Sequence, residues 1–300
     1  MQYLFDRLED QASRDLLVKL AAFRLMGHRR VKLPRNNDEF WQNENRIATL
    51  PAVADPVQVE FMNLALTPRD LGPIGYDARL FGTARGIAMV YLQRQYDLER
   101  LGGICRVVPG DVVLDAGGCW GDTAVYFAER TGPSGKVVVF EFIPSNLVML
   151  RRNLDLNPQL KDRVTVVDRP LWSVPGQELF YVDWGPGSRV SFNKLREDFP
   201  DTKTCTTTID NFVDQSGLER VDFIKMDIEG AEPYALRGAE RTIRKHRPKL
   251  AVSLYHSIDD FNSIPRVIDG FDLGYRFYLE HHTIYENETV LFCIPEGRAG

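Results

Sequence analysis

The sequence is poor in cysteine, in long apolar runs and in positive charge. Its four cysteines, Cys105, Cys119, Cys205 and Cys293, are scattered over 300 residues. They make neither the paired spacing of a metal site nor a disulfide framework, so reduced thiols are the expectation. No apolar run is long enough to cross a bilayer, and no membrane span is expected. The opening residues, MQYLFDRLEDQ, carry acids early and no apolar core of signal-peptide length, which makes the cytoplasm the expected location. A net charge of −5 argues against a general nucleic-acid binder. No internal repeat or low-complexity tract is evident. What remains is an ordinary globular composition, long enough for one large domain or a domain with an appendage.

The first third reads as helical and then irregular. LEDQASRDLLVKLAAFRLMG places Leu16, Leu17, Leu20 and Phe23 at helical spacing, with Gly27 as its stop. A basic cluster, Arg24, Arg29, Arg30, Lys32 and Arg35, follows and reads as a solvated connector. Pro51, Pro56, Pro68 and Pro73 then punctuate a stretch expected to be irregular with short helices. A boundary falls near Gly75, giving a mostly helical extension over 1–75 and a main domain over 76–300.

From about residue 105 strands and helices alternate. DVVLDA, KVVVFEF, RVTVVD, VDFIKMDI and KLAVSLYH read as buried strands. Helical TAVYFAER, SNLVMLRRNLDLN and AEPYALRGAERTIRKH lie between them, with Ser145 the expected cap of the second. YRFYLEHH and TVLFCI form a terminal antiparallel pair, in which one of His281 and His282 is expected to be exposed. DWGPGSRVSF is a turn carrying Ser188 and Arg189, read either as an ordinary hairpin or as an acceptor-side loop. Consecutive βα units demand a mostly parallel sheet with helices on both faces. Ligands in such sheets sit at the carboxyl ends of the strands, where Asp115, Glu141, Asp168, Asp227 and His256 fall.

The stretch DAGGCWGDT, Asp115 to Thr123, is a glycine-rich turn after the first of these strands. The dinucleotide fingerprint G-x-G-x-x-G finds Gly118 and Gly121 but meets Ala116 at its first position. A pyrophosphate would approach this loop and the helix after it, and Asp115 and Asp122 would repel it. A sulfonium inverts that argument, because Asp115 can counter a cationic methionine end. Gly117 and Gly118 are expected to let backbone approach the ligand. Glu141 is placed to accept from ribose hydroxyls, as dehydrogenase acids also do. Asp168 can accept from an adenine amino group or simply cap a turn.

VVLDAGGCWGDTAVYFA, VVFEFIPSN, VDFIKMDIEGAE and LAVSLYH resemble, in order and spacing, the FkbM-type S-adenosylmethionine-dependent methyltransferases. The resemblance covers roughly residues 105–285 and is most specific at DFIKMDIEGAE. It implies a Rossmann-like class I methyltransferase, with a mostly parallel seven-stranded sheet, the C-terminal antiparallel pair and an N-terminal helical extension. It also implies methyl transfer from S-adenosyl-L-methionine to a hydroxyl oxygen of a sugar, glycan or other small natural product. The expected cofactor set is Asp115, Gly117, Gly118, Gly121, Asp122, Thr123, Glu141, Phe142, Asp168 and Asp227.

A sugar hydroxyl is a poor nucleophile, so a general base is expected to help. His256 is the first candidate, with capping of the following helix as its alternative role. Asp227 is the second, as base or as orienting group. Glu229 and Glu232 can instead favour a helix N-terminus. Asp227, Glu229 and His256 also make an oxygen-and-imidazole set for a divalent ion, but nothing in their spacing requires one, and no metal is expected. A nicotinamide-dependent oxidoreductase and a non-catalytic interaction domain are the rival functions.

Overall fold

A computed structural model describes residues 1–194 and 202–297. The N-terminal helix Gln11–Met26 starts where the Asp10 carboxylate accepts from the Ser13 amide at 2.8 Å, and stops at Gly27, whose φ is 79°. Its apolar stripe, Leu16, Leu17, Leu20 and Phe23, packs into the same core as Leu250, Ile264 and Phe277.

The proline-rich stretch is more ordered than expected. Three strands, β1 (Val57–Val59), β2 (Leu64–Asp70) and β3 (Arg79–Gly82), form an antiparallel sheet. The β1–β2 turn uses Met62 and Asn63, with φ of 50° and 52°. Neither is the glycine that normally marks a left-handed turn, so the hairpin has no local signal. The expected boundary near Gly75 lies between β2 and β3, which pair with each other.

The remaining strands are β4 (Val112–Ala116), β5 (Lys136–Phe140), β6 (Val164–Val167), β7 (Glu178–Tyr181), β8 (Val190–Ser191), β9 (Thr202–Cys205), β10 (Phe223–Met226), β11 (Lys249–Ser253), β12 (Arg276–His281) and β13 (Thr289–Ile294). Seven of them make the central sheet, in the order β12-β13-β11-β10-β4-β5-β6. All neighbours are parallel except those of β13. Alternation sends Leu114, Ala116, Ile224 and Met226 to one face and Val113, Val139 and Phe223 to the other, each under its own layer of helices. The edge strand β12 is covered: Leu8 bridges Phe277, and the Leu279 amide donates to Ser13 at 2.8 Å.

A second small sheet, β8-β7-β9, inserts between β6 and β10. Ser145 is not a helix cap. Ile143 occupies that position, Pro144 opens the helix, and the Ser145 amide and hydroxyl both donate to Asp183. His281 and His282 are both 2% exposed. Neither ring faces solvent, and His281 Nδ1 pairs with the Thr289 hydroxyl at 2.9 Å.

The strand order reverses at β4: the chain runs outward through β5 and β6 on one side and then returns to β10 on the other. A crevice opens there, above the carboxyl ends of the strands.

Candidate active site

The floor of the crevice is an ion pair set by sheet register. Lys225 of β10 lies opposite Asp115 of β4, and alternation points both to the same face. Lys225 Nζ stands 3.1 Å from Asp115 Oδ1 and donates to the Gly117 carbonyl at 2.6 Å. The Thr123 hydroxyl donates to the other carboxylate oxygen at 2.7 Å. The two charged side chains are 0% and 2% exposed. Burial disfavours the Lys225 charge, but Asp115 and Asp227 outweigh it and raise its pKa above the ordinary lysine value. Asp115, expected to face a cationic ligand, is therefore enclosed and already neutralised. Thr123 serves Asp115.

The loop glycines answer to packing. A Cβ on Gly117, at φ 86°, would lie 1.8 Å from the Asp227 carbonyl oxygen. One on Gly118 would lie 2.0 Å from Val139 Cγ2. Gly121, at φ 85°, is the N-cap of helix Asp122–Thr131. The missing side chains of Gly117 and Gly118 let the loop lie against β5 and the end of β10, and Gly117 also lines the crevice.

Above this floor the crevice has two lobes that meet at Gly117, Cys119, Asp227 and Glu229. The first, about 570 Å³, holds Glu141, Phe142, Asn146 and Arg169. Glu141 Oε1 accepts from the amides of Phe142 at 2.7 Å and Ile143 at 2.8 Å, and Oε2 from Asn146 Nδ2 at 3.2 Å. Burial outweighs these donors and pushes the carboxyl up to about 7. Asn146 Oδ1 is a buried acceptor with no partner among the described residues. Phe142 packs edge-on against Tyr181. Asp168 is exposed and does not line this lobe. Its neighbours Arg169, Pro170 and Leu171 do.

The second lobe, about 1010 Å³, is lined by four carboxylates, Asp122, Asp227, Glu229 and Glu288, and by Lys225. Burial lifts the Asp122 carboxyl, at the helix start, to about 6. Asp227 ends β10 and accepts from Tyr255 at 2.9 Å and Tyr96 at 3.1 Å. His256 Nε2 lies 3.3 Å from Asp227 and 3.6 Å from Glu229, while Nδ1 lies 3.1 Å from Glu232. Burial opposes ionisation of both members, yet the pairing wins: His256 is held well above the ordinary histidine range and Asp227 well below the carboxylate range. A histidine bracketed in this way keeps its proton at neutral pH. The carboxylates at both ring nitrogens favour the protonated ring, which counts against the base role expected of it, and the same pairing favours Asp227 as an anion. Glu232 sits in the first turn of helix Glu232–Arg237 and accepts from the Ile228 amide at 2.7 Å.

Asp227, Glu232 and His256 also offer ligand atoms within 4.8 Å of one another, a spacing that could hold a metal ion. Each carboxylate addresses a different ring nitrogen, which is the geometry of an ion-paired imidazolium.

Sequence reasoning missed Tyr96, Gln95, Asn146, Tyr255 and Glu288. Asn146 carried a signal, one turn into the helix that follows Glu141. Tyr255 adjoins His256 in LAVSLYH, whereas Gln95, Tyr96 and Glu288 come from distant segments and carried none. Backbone strain marks the same place: Cys119, Glu229 and Glu288, all non-glycine with φ of 46°, 58° and 65°, line the crevice.

Residues 111–277, more than half of the chain, match the family model described as Methyltransferase FkbM domain. No curated protein matches the chain. Among solved structures, the methyltransferase FkbM from Methylobacillus flagellatus aligns over 97% of this chain with 21% identity and a TM-score of 0.60. The chain spans 57% of that protein's length, and the likeness is one of fold. A putative O-methyltransferase from Klebsiella pneumoniae aligns over 95% of this chain and 99% of its own, at 13% identity and a TM-score of 0.41. Fibrillarin from Aeropyrum pernix, solved with S-adenosyl-L-methionine bound, aligns over 82% of this chain and 100% of its own, at 14% identity and a TM-score of 0.44.

Proposed function

This chain belongs to the FkbM methyltransferase family, and from that premise we propose that it moves a methyl group from S-adenosylmethionine to a hydroxyl oxygen of a small molecule or glycan. One observation carries the reading. A continuous crevice at the reversal of strand order joins an isolated acceptor carboxylate, Glu141, to a lobe crowded with carboxylates. The unpartnered Asn146 Oδ1 beside Glu141 is an acceptor that a ligand donor would satisfy. Together they suit the ribose hydroxyls and amino group of an adenosine.

The second lobe suits a cation. Its four carboxylates exceed the charge of Lys225 and His256, so a sulfonium and an ammonium are attracted there and a pyrophosphate is repelled. The same charge argument counts against a nicotinamide dinucleotide. Bound S-adenosylmethionine supplies an already activated methyl group. The chain's own task is to hold the acceptor in line and to manage its proton. In this reading Asp227 is a fixed anion toward the cationic end or the acceptor. His256 is an imidazolium that holds Asp227 in place. Thr83, Gln95 and Tyr255 bring neutral hydrogen-bonding groups to the lobe wall, which suits a hydroxylated acceptor.

The test has two parts. Calorimetry compares S-adenosylhomocysteine with NAD, and only the first should bind. Isotope-labelled methyl transfer is then followed by mass spectrometry over a panel of alcohols, sugars, amines and thiols, with and without chelator. Methylated oxygen is the expected product, and chelator should leave the rate unchanged. Tight NAD binding without S-adenosylhomocysteine binding would overturn the cofactor assignment. Methylation confined to nitrogen or sulfur would overturn the hydroxyl acceptor.

A further inference from the structure

Removing a proton from a hydroxyl requires a group that faces the acceptor, keeps a free oxygen lone pair and changes charge near working pH. Neither residue nominated from the sequence qualifies. His256 is a trapped cation, and Asp227 already accepts from Tyr96 and Tyr255 and faces the His256 ring. Of the three other carboxylates in the second lobe, Glu229 stands 3.6 Å from both Arg189 and His256 and Asp122 opens helix Asp122–Thr131, whereas Glu288 is oriented by a side-chain amide.

Glu288 lies on the return between β12 and β13, immediately before β13. Its backbone is held by the sheet end: the His282 amide donates to the Glu288 carbonyl at 3.0 Å, and the next residue, Thr289, accepts from the Leu254 amide at 2.9 Å. That anchoring keeps a non-glycine residue at φ 65°, a conformation with a cost that persists only where surroundings enforce it. The side chain enters the second lobe beside Tyr96, Lys225, Asp227 and Tyr255. Gln95, itself 3% exposed, donates from Nε2 to Glu288 Oε2 at 2.6 Å. Among the described residues the other oxygen receives only the exposed Asn287 amide, at 3.3 Å. No ion-pair partner lies within 4.0 Å among the described residues. A neutral amide therefore orients the carboxyl without neutralising it.

We propose that Glu288 is the general base of methyl transfer, positioned by Gln95. The proposal rests on the hydroxyl-acceptor reading above. The acceptor oxygen forms a bond to the methyl carbon while the carbon–sulfur bond breaks. The electron pair of that bond stays on sulfur, giving S-adenosylhomocysteine. The hydroxyl proton passes to the Glu288 carboxylate and then to water.

The electrostatics agree with this placement. Burial, then the nearby Asp227 charge and the more distant Glu229, push the Glu288 carboxyl up to about 8, against the opposing pull of Gln95 and His256. Lys225, Asp122, Cys119, Tyr96 and Tyr255 complete the titratable groups facing the lobe. Carboxylates raised toward neutrality are the form in which enzymes use them as bases.

The first arm of the test needs only the cofactor. S-adenosylmethionine is titrated into the protein near pH 8 by calorimetry, in buffers of different ionisation enthalpy. The cationic ligand favours the ionised carboxylate, so the wild type should release about half a proton that Glu288→Gln does not release. Equal proton release by both proteins would overturn the proposal. The second arm uses whichever alcohol or sugar the labelled-methyl panel yields. Wild-type kcat should rise with pH through an apparent pKa. Glu288→Gln should lose about a hundredfold or more and lose the rise, while Glu288→Asp recovers part of both. Binding of S-adenosylhomocysteine should stay within a few-fold of wild type, which separates loss of a base from loss of fold. An unchanged kcat or an unchanged pH profile in Glu288→Gln would overturn the proposal. Failure of the hydroxyl reading is seen separately, as wild-type transfer to amines or thiols alone.

Discussion

The two lobes of the crevice hold negative charge by different means. In the first, Glu141 meets neutral donors, two backbone amides and Asn146, all within 5 residues of it. In the second, four carboxylates share Lys225, His256 and two tyrosines, and their partners are remote: Tyr96 and Asp227 are 131 residues apart, Gln95 and Glu288 193. The first lobe therefore behaves as a single titrating carboxyl whose properties follow from its burial. The second behaves as a network, where a like carboxylate is an anchored anion at Asp227 and a proton acceptor at Glu288. The difference comes from neighbours and not from residue type.

The largest expected effect comes from breaking the network at its floor. Lys225→Met leaves Asp115 buried with Thr123 as its remaining side-chain donor, and removal of one partner from a buried pair costs about 3–5 kcal/mol. The urea midpoint should fall sharply, and adding Asp115→Asn should recover part of the loss. A midpoint that does not move would mean that Asp115 is not charged in the fold.

A smaller effect is expected in the first lobe, because Glu141 has no cation to orphan. Glu141→Ala leaves the Phe142, Ile143 and Asn146 donors without this acceptor, so stability should fall by about 1–3 kcal/mol, and S-adenosylhomocysteine binding should weaken by about 1.5–3 kcal/mol, the range for hydrogen bonds to a charged group. Calorimetry reads this directly. Unchanged affinity in a folded variant would remove Glu141 from the cofactor site.

The smallest effect sharpens the comparison through pH. The folded pKa of Glu141, about 7, lies above its unfolded value. Its contribution to stability is therefore present below the unfolded pKa and is lost as pH rises through about 7. Ribose hydroxyls donate to the carboxylate, so ligand binding runs the other way and favours the ionised form. Wild-type affinity for S-adenosylhomocysteine should tighten by about tenfold from pH 6 to pH 8, following the ionised fraction. Glu141→Gln should flatten that slope. If the slope survives in the variant, the titrating group lies in the second lobe.

Legibility in the sequence followed the same division. The alternating strands, the helix Gln11–Met26 with its Gly27 stop, the glycine loop and Glu141 all rest on local spacing, and all were readable. The small sheet β1–β3 was not, because its hairpin turns on Met62 and Asn63 in place of glycine. Ser145 looked like a cap because serine before an apolar run usually is one. Pro144 shifted the helix start, and Asp183, from another segment, took the serine's hydrogen bonds.

Strand periodicity and acids at strand ends are properties of short windows. The amino-acid sequence alone therefore determined an α/β sheet with carboxylates gathered at one edge and a resemblance to methyltransferases. The tertiary structure decided what each of those carboxylates is. Register placed Lys225 against Asp115 and buried the carboxylate in that pair. Packing brought Tyr96, Tyr255 and His256 around Asp227 and fixed its charge. The anchored return before β13 placed Glu288 in the second lobe with no ion-pair partner within 4.0 Å among the described residues. Charge state depends on burial and on through-space neighbours, and neither is a function of distance along the chain.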